Sequence, residues 1–564
     1  MALRSNFGAN NARTVIRRAQ WVSLGINPED MERPKVALVN TSNDLAACFA
    51  HLDEIVNVLK TRAYETGLLP FEIRTAAPSD FVTSAGKGGR YILPSRDLIT
   101  NDIEVMVEGA QLDAMICLSS CDKTTPGHLM AAGRLNIPTI IIPCGYQRSG
   151  LAEGGDSDVE EVFFKSAVQA MDGKIEDDVL RQADDAIRSP GVCSGLATAN
   201  SMHMVAEALG MTVPHAAPVQ ANSEHMWDVV DRSVDAIAVA VEKNLTPRRI
   251  MTNASVNTAV RTMLSVGGSN NTIKHLQAVA VETGLDIDVW ETYRKLGRET
   301  PTLCSIRPNG DHLVEDLEAS GGAATVLKEL LPLIGGDQLT ITGKTLVENL
   351  ETAKPADGKV VRPLDAPLST SPAIVVVKGS LVPEGAVVKR PIPDPGPFEF
   401  TGPAKIFHSR EEGIEAVSRG DIQPGDVAVI RGLGVTGGPA MGMVSAFIFA
   451  LNGRGLSEKV AVISDGQLSG LVNRGIVVGE ASPEAAADGP LGRMQNGDQV
   501  HIDLITGTVD LLVDEEVLAA RPPYQAPPAT EDFSGLLDQY RATVQPLACG
   551  AVLCGNGPCS APKA

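Results

Sequence analysis

From about residue 35 onward, short β-rich runs alternate with helix-like segments, and this alternation constrains the fold more than any other feature. PKVALVNT, FEIRTAAP, AMICLSS and TIIIPCG read as strands. EIVNVLKTRAYETG, LITNDIEVMVEGAQ and a stretch from about Thr125 read as helices. Such an order implies an α/β domain with a largely parallel sheet. It also makes the loops after the strand ends the places to look for chemistry.

At 564 residues the chain is too long for one ordinary hydrophobic core, so a large and a smaller domain are expected. With 43% hydrophobic and 21% charged residues it is globular rather than disordered. Between about 353 and 400 the texture turns Pro-rich, as in AKPADGKVVRPLDAPLSTSP and KRPIPDPGPFEF, which resists continuous helix or central strand. The domain junction is placed there. An N-terminal α/β domain over 1–375 precedes a smaller β-rich, barrel-like domain over 376–564. The latter contains DVAVI, AMGMVSAFIFALNG, VAVISDG and the hairpin-like QVHIDLITGTVDLLV.

A net charge of −21 repels phosphate backbones, which argues against a nucleic-acid partner. An anionic small molecule still binds where metals or local Arg and Lys reverse the field. MALRSNFGANNARTV lacks the apolar core of a signal peptide, and no apolar run reaches membrane-span length. The expectation is a cytoplasmic protein with no membrane partner. In that setting its nine cysteines read as thiols or metal ligands rather than disulfides.

Three cysteines fall in three separate loops: Cys48 in NTSNDLAACFAHL, Cys121 in CLSSCDKTTPGH and Cys193 in SPGVCSGLATANSM. Taken singly, each reads as a buried structural thiol. Their neighbours say more. Asp122 and Lys123 follow Cys121 at once, and two adjacent charges are costly to bury without a purpose. A thiolate that suits iron or zinc beside a carboxylate that suits magnesium supplies one. A helix from about Gly195 would favour a thiolate or anionic cluster at Cys193 through its N-terminal dipole.

RYILPSRDLI, CDKTTPG, GVCSGLATANSM, GGSNNTIKHL, ITGKTLVENL and ISDGQLSG resemble the dihydroxyacid dehydratase family. That family includes phosphogluconate dehydratase and the sugar-acid dehydratases, and the similarity spans roughly residues 35 to 515. The resemblance implies an iron–sulfur cluster on Cys48, Cys121 and Cys193. A 2Fe-2S type is favoured, with 4Fe-4S as the alternative. It implies magnesium on Asp80, Asp122 and a carbamylated Lys123; unmodified, Lys123 is a salt-bridge partner of Asp122. Ser469 in SDGQLSG matches the serine base that takes a proton from C2, although by itself it reads as a turn residue. Homodimers or homotetramers are typical of the family.

The family's further magnesium ligand, a glutamate, is replaced here by Met443, and a thioether suits magnesium poorly. Glu480 in VVGEASPEA is a candidate to compensate, against the plainer reading of a solvated loop acid. Ser194 and Ala197 also depart from the usual pattern and suggest a wider pocket. The leading functional reading is therefore a dehydratase of 2,3-dihydroxy acids, chiefly sugar acids, with broad specificity. One alternative is the branched-chain enzyme of valine and isoleucine synthesis; another is a non-catalytic iron–sulfur or metal-sensing protein. Cys549, Cys554 and Cys559 near the end form a spaced set that suits either a soft metal or mobile thiols. DGKIEDDVLRQADD reads as a solvated helix face, GGSNNTIKHL as a turn beside the site, and His51 and His128 as packing residues or outer hydrogen-bond donors.

Overall fold

Four strands carry the alternation read from the sequence. The computed structural model describes residues 3–8, 10–84, 89–152, 155–171, 173–470, 474–526 and 535–553. In it β1 (Lys35–Asn40), β2 (Leu69–Arg74), β3 (Ala114–Ser119) and β4 (Thr139–Pro143) form a sheet in the order β2-β1-β3-β4. Every neighbouring pair is parallel. β1, β3 and β4 are buried along their whole length, which is why they read as near-continuous apolar runs. The connections from β1 to β2 and from β3 to β4 run in opposite directions along the sheet. The loops leaving β1 and β3 therefore diverge and open a crevice at the carboxyl ends of those strands.

The helix after β3, Thr124–Leu135, starts one residue before its expected position and is buried on nearly every side. It lies between the helices Ile92–Ala110 and Thr272–Thr283. Two glycines permit that approach: a Cβ at Gly127 would lie 2.9 Å from the Arg96 carbonyl oxygen, and one at Gly133 within 3.1 Å of the Thr283 backbone. Beyond β4, a short antiparallel pair, β5 (Gly150–Ala152) and β6 (Gly155–Ser157), precedes a helical layer. Within that layer Thr198–Ala208, Asn253–Val266 and Gly322–Ile334 pack on one another.

The second sheet has eight strands: β7 (Ile374–Val377), β8 (Gly385–Lys389), β9 (Glu399–Phe407), β10 (Val427–Ile430), β11 (Ala461–Ser464), β12 (Val477–Ser482), β13 (Gln499–Asp503) and β14 (Thr508–Leu511). Their order is β14-β13-β9-β10-β11-β12-β8-β7. β9 to β12 are parallel, and the outer strands add antiparallel. The two edges nearly meet: Lys378 N–H donates to Gly507 O and Val509 N–H to Lys378 O, each at 3.0 Å, which almost closes a barrel. Strand alternation sorts the side chains. Val427, Val429, Ala461 and Ile463 fill the barrel, while Ala428, Ile430 and Val462 join the core shared with the N-terminal region. Among the described residues no helix is long and apolar enough to cross a membrane.

Candidate active site

The crevice between β1 and β3 is where the first two cysteines arrive. Cys48 lies in the loop after β1 and Cys121 in the loop after β3, while Asp80, beyond β2, starts the helical turn Asp80–Thr83. Ser120 Oγ donates to the Cys48 carbonyl, which pins the two cysteine loops together. Cys193 comes from a distant segment stitched onto the same loops. Gly191 N–H donates to Ala47 O at 3.2 Å, Val192 N–H to Gly145 O at 2.9 Å and Gln147 N–H to Val192 O at 2.7 Å. Gly191 has φ +120°, and a Cβ there would lie 2.5 Å from the Tyr146 carbonyl carbon, so the stitch requires glycine.

After Cys193 the helix begins at Thr198 rather than near Gly195. Asn200 Nδ2 donates to the carbonyls of Cys193 and Gly195 at 2.7 and 2.9 Å, and Leu196 N–H donates to Arg307 O at 2.7 Å. These bonds hold 193–197 in an irregular loop instead of a first helical turn.

The three thiols and two aspartates share one neighbourhood, in which Cys48, Cys121 and Asp122 are buried and Cys193 and Asp80 half-buried. Cys121 Sγ donates to Asp80 Oδ1 at 3.5 Å. A hydrogen bond with Cys48, then burial, holds the Cys121 thiol well above its usual range. Burial, then the charges of Glu160 and Asp80, does the same to Cys193. Asp80 is pushed up to about 6 by burial and by Asp122, with Lys123 opposing. Lys123 is itself buried and in direct contact with Asp122. Bound cations reverse such penalties by favouring thiolate and carboxylate. The donor set, soft sulfur beside hard oxygen, thus fits both groups implied by the sequence. Among the described residues no three His, Cys, Asp or Glu side chains crowd round a single point. A polynuclear cluster, whose thiolates bind different irons, does not need them to.

Cys48, Cys121, Cys193, Asp80, Asp122 and Ser469 all line one cavity of about 720 Å³. Ser469 comes from the C-terminal sheet, in the loop after β11, and its N–H donates to Ser445 Oγ at 3.3 Å. The rest of the wall is largely apolar, including Phe81, Val82, Ile92, Phe163, Ile414 and Met443. Asn271, in the turn before the helix Thr272–Thr283, completes one side.

Glu480 is not a solvated loop acid. It is fully buried on β12 and pairs with Lys274 Nζ at 2.5 Å, outside the cavity wall. Lys274 supplies the counter-charge that permits this burial. His51 and His128 serve packing: His51 Nε2 meets Cys144 O at 2.6 Å and His128 Nδ1 meets Ser119 Oγ at 2.8 Å. The helix Asp177–Asp185 is mostly exposed, as its acidic sequence implies. Of the terminal cysteines, Cys549 is buried, whereas Cys554 and Cys559 lie outside the described residues.

Sequence reasoning missed two buried ionisable groups, Glu160 in the cavity wall and Lys389 behind the serine loop. Glu160 is pushed up to about 8 by burial and Asp158, and Lys389 down to about 7 by burial with Glu160 opposing. Neither had a local signal, since Glu160 sits in what reads as an acidic helix start and Lys389 ends an ordinary strand.

Two family models match the chain: dihydroxy-acid/6-phosphogluconate dehydratase N-terminal over residues 33–349, and its C-terminal counterpart over residues 359–551. A protein of Ignicoccus hospitalis named dihydroxy-acid dehydratase is 38% identical over 93% of this chain and 95% of its own length. Proteins of the same name from Methanothrix thermoacetophila and Aquifex aeolicus are each 37% identical. They cover 98% and 95% of this chain, and 100% and 97% of their own lengths.

Proposed function

The chain belongs to the dihydroxy-acid/6-phosphogluconate dehydratase family, and from that premise we propose that it removes water from a short alkyl-substituted 2,3-dihydroxy carboxylate to give a 2-keto acid. The observation that carries this reading is the convergence of three cysteines, two aspartates and Ser469 on one cavity. Cys48, Cys121 and Cys193 would hold an iron–sulfur cluster, 2Fe-2S in type. Asp80, Asp122 and a carbamylated Lys123 would hold magnesium. Glu480 is left out of that set because it does not line the cavity and its Oε1 pairs with Lys274. When bound, these groups supply Lewis acidity at the substrate's oxygens.

The remaining work falls to the chain itself. Ser469 accepts the proton from C2, and because a serine hydroxyl is a weak base at neutral pH it must act as an alkoxide in a positive field. Loss of that proton and of hydroxide from C3 leaves an enol, which tautomerises to the 2-keto acid with no net redox change. The apolar wall excludes water and packs the substrate's alkyl end.

The sugar-acid preference read from Ser194 and Ala197 gives way to its branched-chain alternative. Relatives across nearly the whole chain carry the dihydroxy-acid name, and although Gln147, Arg410, Glu411 and Gln467 also line the cavity, Phe81, Val82, Ile92, Phe163, Ile414 and Met443 offer an apolar surface to an alkyl chain. The test is anaerobic purification, assay of iron and acid-labile sulfide, and keto-acid formation from 2,3-dihydroxyisovalerate and from gluconate. A brown protein that turns over the branched acid faster is the expected result. Preference for gluconate overturns the substrate assignment, and a protein that stays iron-free after cluster reconstitution overturns the cysteine assignment. Cluster binding without turnover on either acid returns the metal-sensing alternative.

A further inference from the structure

Lys389, the last residue of β8, is only 1% exposed. An ammonium buried this deeply is costly to desolvate and persists where its hydrogen bonds are needed. Its Nζ donates at 2.5 Å to the carbonyl of Gly470, the residue after Ser469. The other side of the serine loop is held as well: Ser469 N–H donates to Ser445 Oγ at 3.3 Å, and Gln467 N–H to Gly442 O at 2.9 Å. Gly470 is wedged against the opposite wall, where a Cβ would lie 3.0 Å from Ser269 Oγ and 3.8 Å from Ala197 Cα.

Burial disfavours the ammonium form of Lys389, and Glu160 opposes that effect. Its carboxylate packs on Gly195 of the Cys193 loop, where an added Cβ would lie 2.8 Å from Oε2. The buried Lys389 side chain thus ties β8 to the serine loop, while Glu160 packs on the loop of Cys193.

We propose that Lys389 is a positioning residue for Ser469: its Nζ clamps the Gly470 carbonyl and so fixes where the serine hydroxyl stands in the cavity. This rests on the reading of Ser469 as the group that takes the C2 proton. The reacting atoms do not touch Lys389, so its removal should lower turnover while leaving substrate affinity largely alone.

In the cluster-loaded, full-length enzyme, Lys389→Met is expected to lower kcat about 100-fold with KM changed by less than about twofold. Lys389→Gln, which keeps an N–H donor for the carbonyl, is expected to retain kcat within about tenfold of wild type. In a Ser469→Ala background, Lys389→Met should alter the residual rate by less than about twofold, because residues acting through one another do not multiply their losses. A rise in KM with kcat kept, or a full multiplicative loss in the double variant, overturns the proposal.

A second readout needs no substrate. Hydrogen–deuterium exchange across Ser464–Gly470 should be about tenfold faster in Lys389→Met while β1 and β3 keep their protection. Unchanged exchange in that segment overturns the clamp. A wild-type protein inactive on every dihydroxy acid would instead defeat the functional reading, and the exchange result would still decide the clamp.

Discussion

His128 and His203 are fully buried beneath the Cys121 loop, His128 on Ser119 Oγ and His203 at the Ser119 and Ser120 backbone. Burial pulls them down to about 3 and about 4 respectively, so both rings are neutral in the folded protein. The unfolded chain protonates them below about pH 6.5. Between that value and the folded one it binds more protons than the native state, so stability falls as pH falls. For His203 the full difference is about 3 kcal/mol, of which about 2 kcal/mol is lost by pH 5. Glu207 has the opposite sign: burial raises it to about 7, so the native state holds its proton and gains stability as pH falls from 7 toward 4.5. A comparison with His203→Gln isolates the histidine. The stability gap between wild type and variant, from urea unfolding, should shrink by about 2 kcal/mol from pH 7.5 to pH 5; a constant gap means the ring is not held neutral. At this scale the sequence exposes Cys48 and Cys121, with Asp122 beside the latter, because they follow recognisable strands. It hides Lys389, Glu160 and the Lys274–Glu480 pair, because nothing local marks a charge whose burial is decided by segments hundreds of residues away.

The helix Thr124–Leu135 extends from the Cys121–Lys123 loop into the core, so its two neighbours help to set where that loop stands. Gly127 touches the helix Ile92–Ala110 through the Arg96 carbonyl and Ile99, and Gly133 touches Thr283. Gly127→Ala gains about 1 kcal/mol in helix propensity but costs about 1–3 kcal/mol in overpacking, because the nearest atom is backbone oxygen that cannot rotate away. The substitution should therefore lower the thermal midpoint. Gly109→Ala, in the neighbouring helix, gives the contrast: a Cβ there meets nothing within 4 Å. It should raise the midpoint through the same propensity gain of about 1 kcal/mol. If the two variants shift together, propensity alone governs these helices and the close crossing is not limiting. The elements of the first sheet were legible because β1, β3 and β4 are continuous apolar runs separated by helical segments. The start at Thr198 was not, because Asn200 and the Arg307 carbonyl impose the loop from outside the local sequence.

The end of the described chain returns to the N-terminal region and locks against the helix Ile92–Ala110. Leu553 N–H donates to Asp97 Oδ1 at 3.0 Å, and Arg96 Nη2 donates to the Ala551 carbonyl at 2.8 Å. Arg96 and Asp97 pair with each other at 3.0 Å and are both fully buried. Gly550 packs on the helix Thr272–Thr283, where a Cβ would lie 2.5 Å from Ala278 N. The terminal segment thus supplies partners for two interior charges on a helix that presses on Thr124–Leu135, although Cys549 had drawn notice in the sequence only as a thiol. A chain ending at Pro546 loses both charge-assisted bonds, each worth about 1.5–3 kcal/mol, and leaves the buried pair short of partners. It should unfold at a lower temperature and retain less iron after reconstitution, measured by calorimetry and by iron assay. Asp97→Asn distinguishes this account from a general penalty of truncation: it should destabilise both chains through loss of the Arg96 pair, but cost about 1.5–3 kcal/mol less in the shortened one, where the Leu553 bond is already gone. Equal losses in both backgrounds would mean that the returning segment stabilises through apolar packing of Leu547 and Val552 rather than through the buried charges.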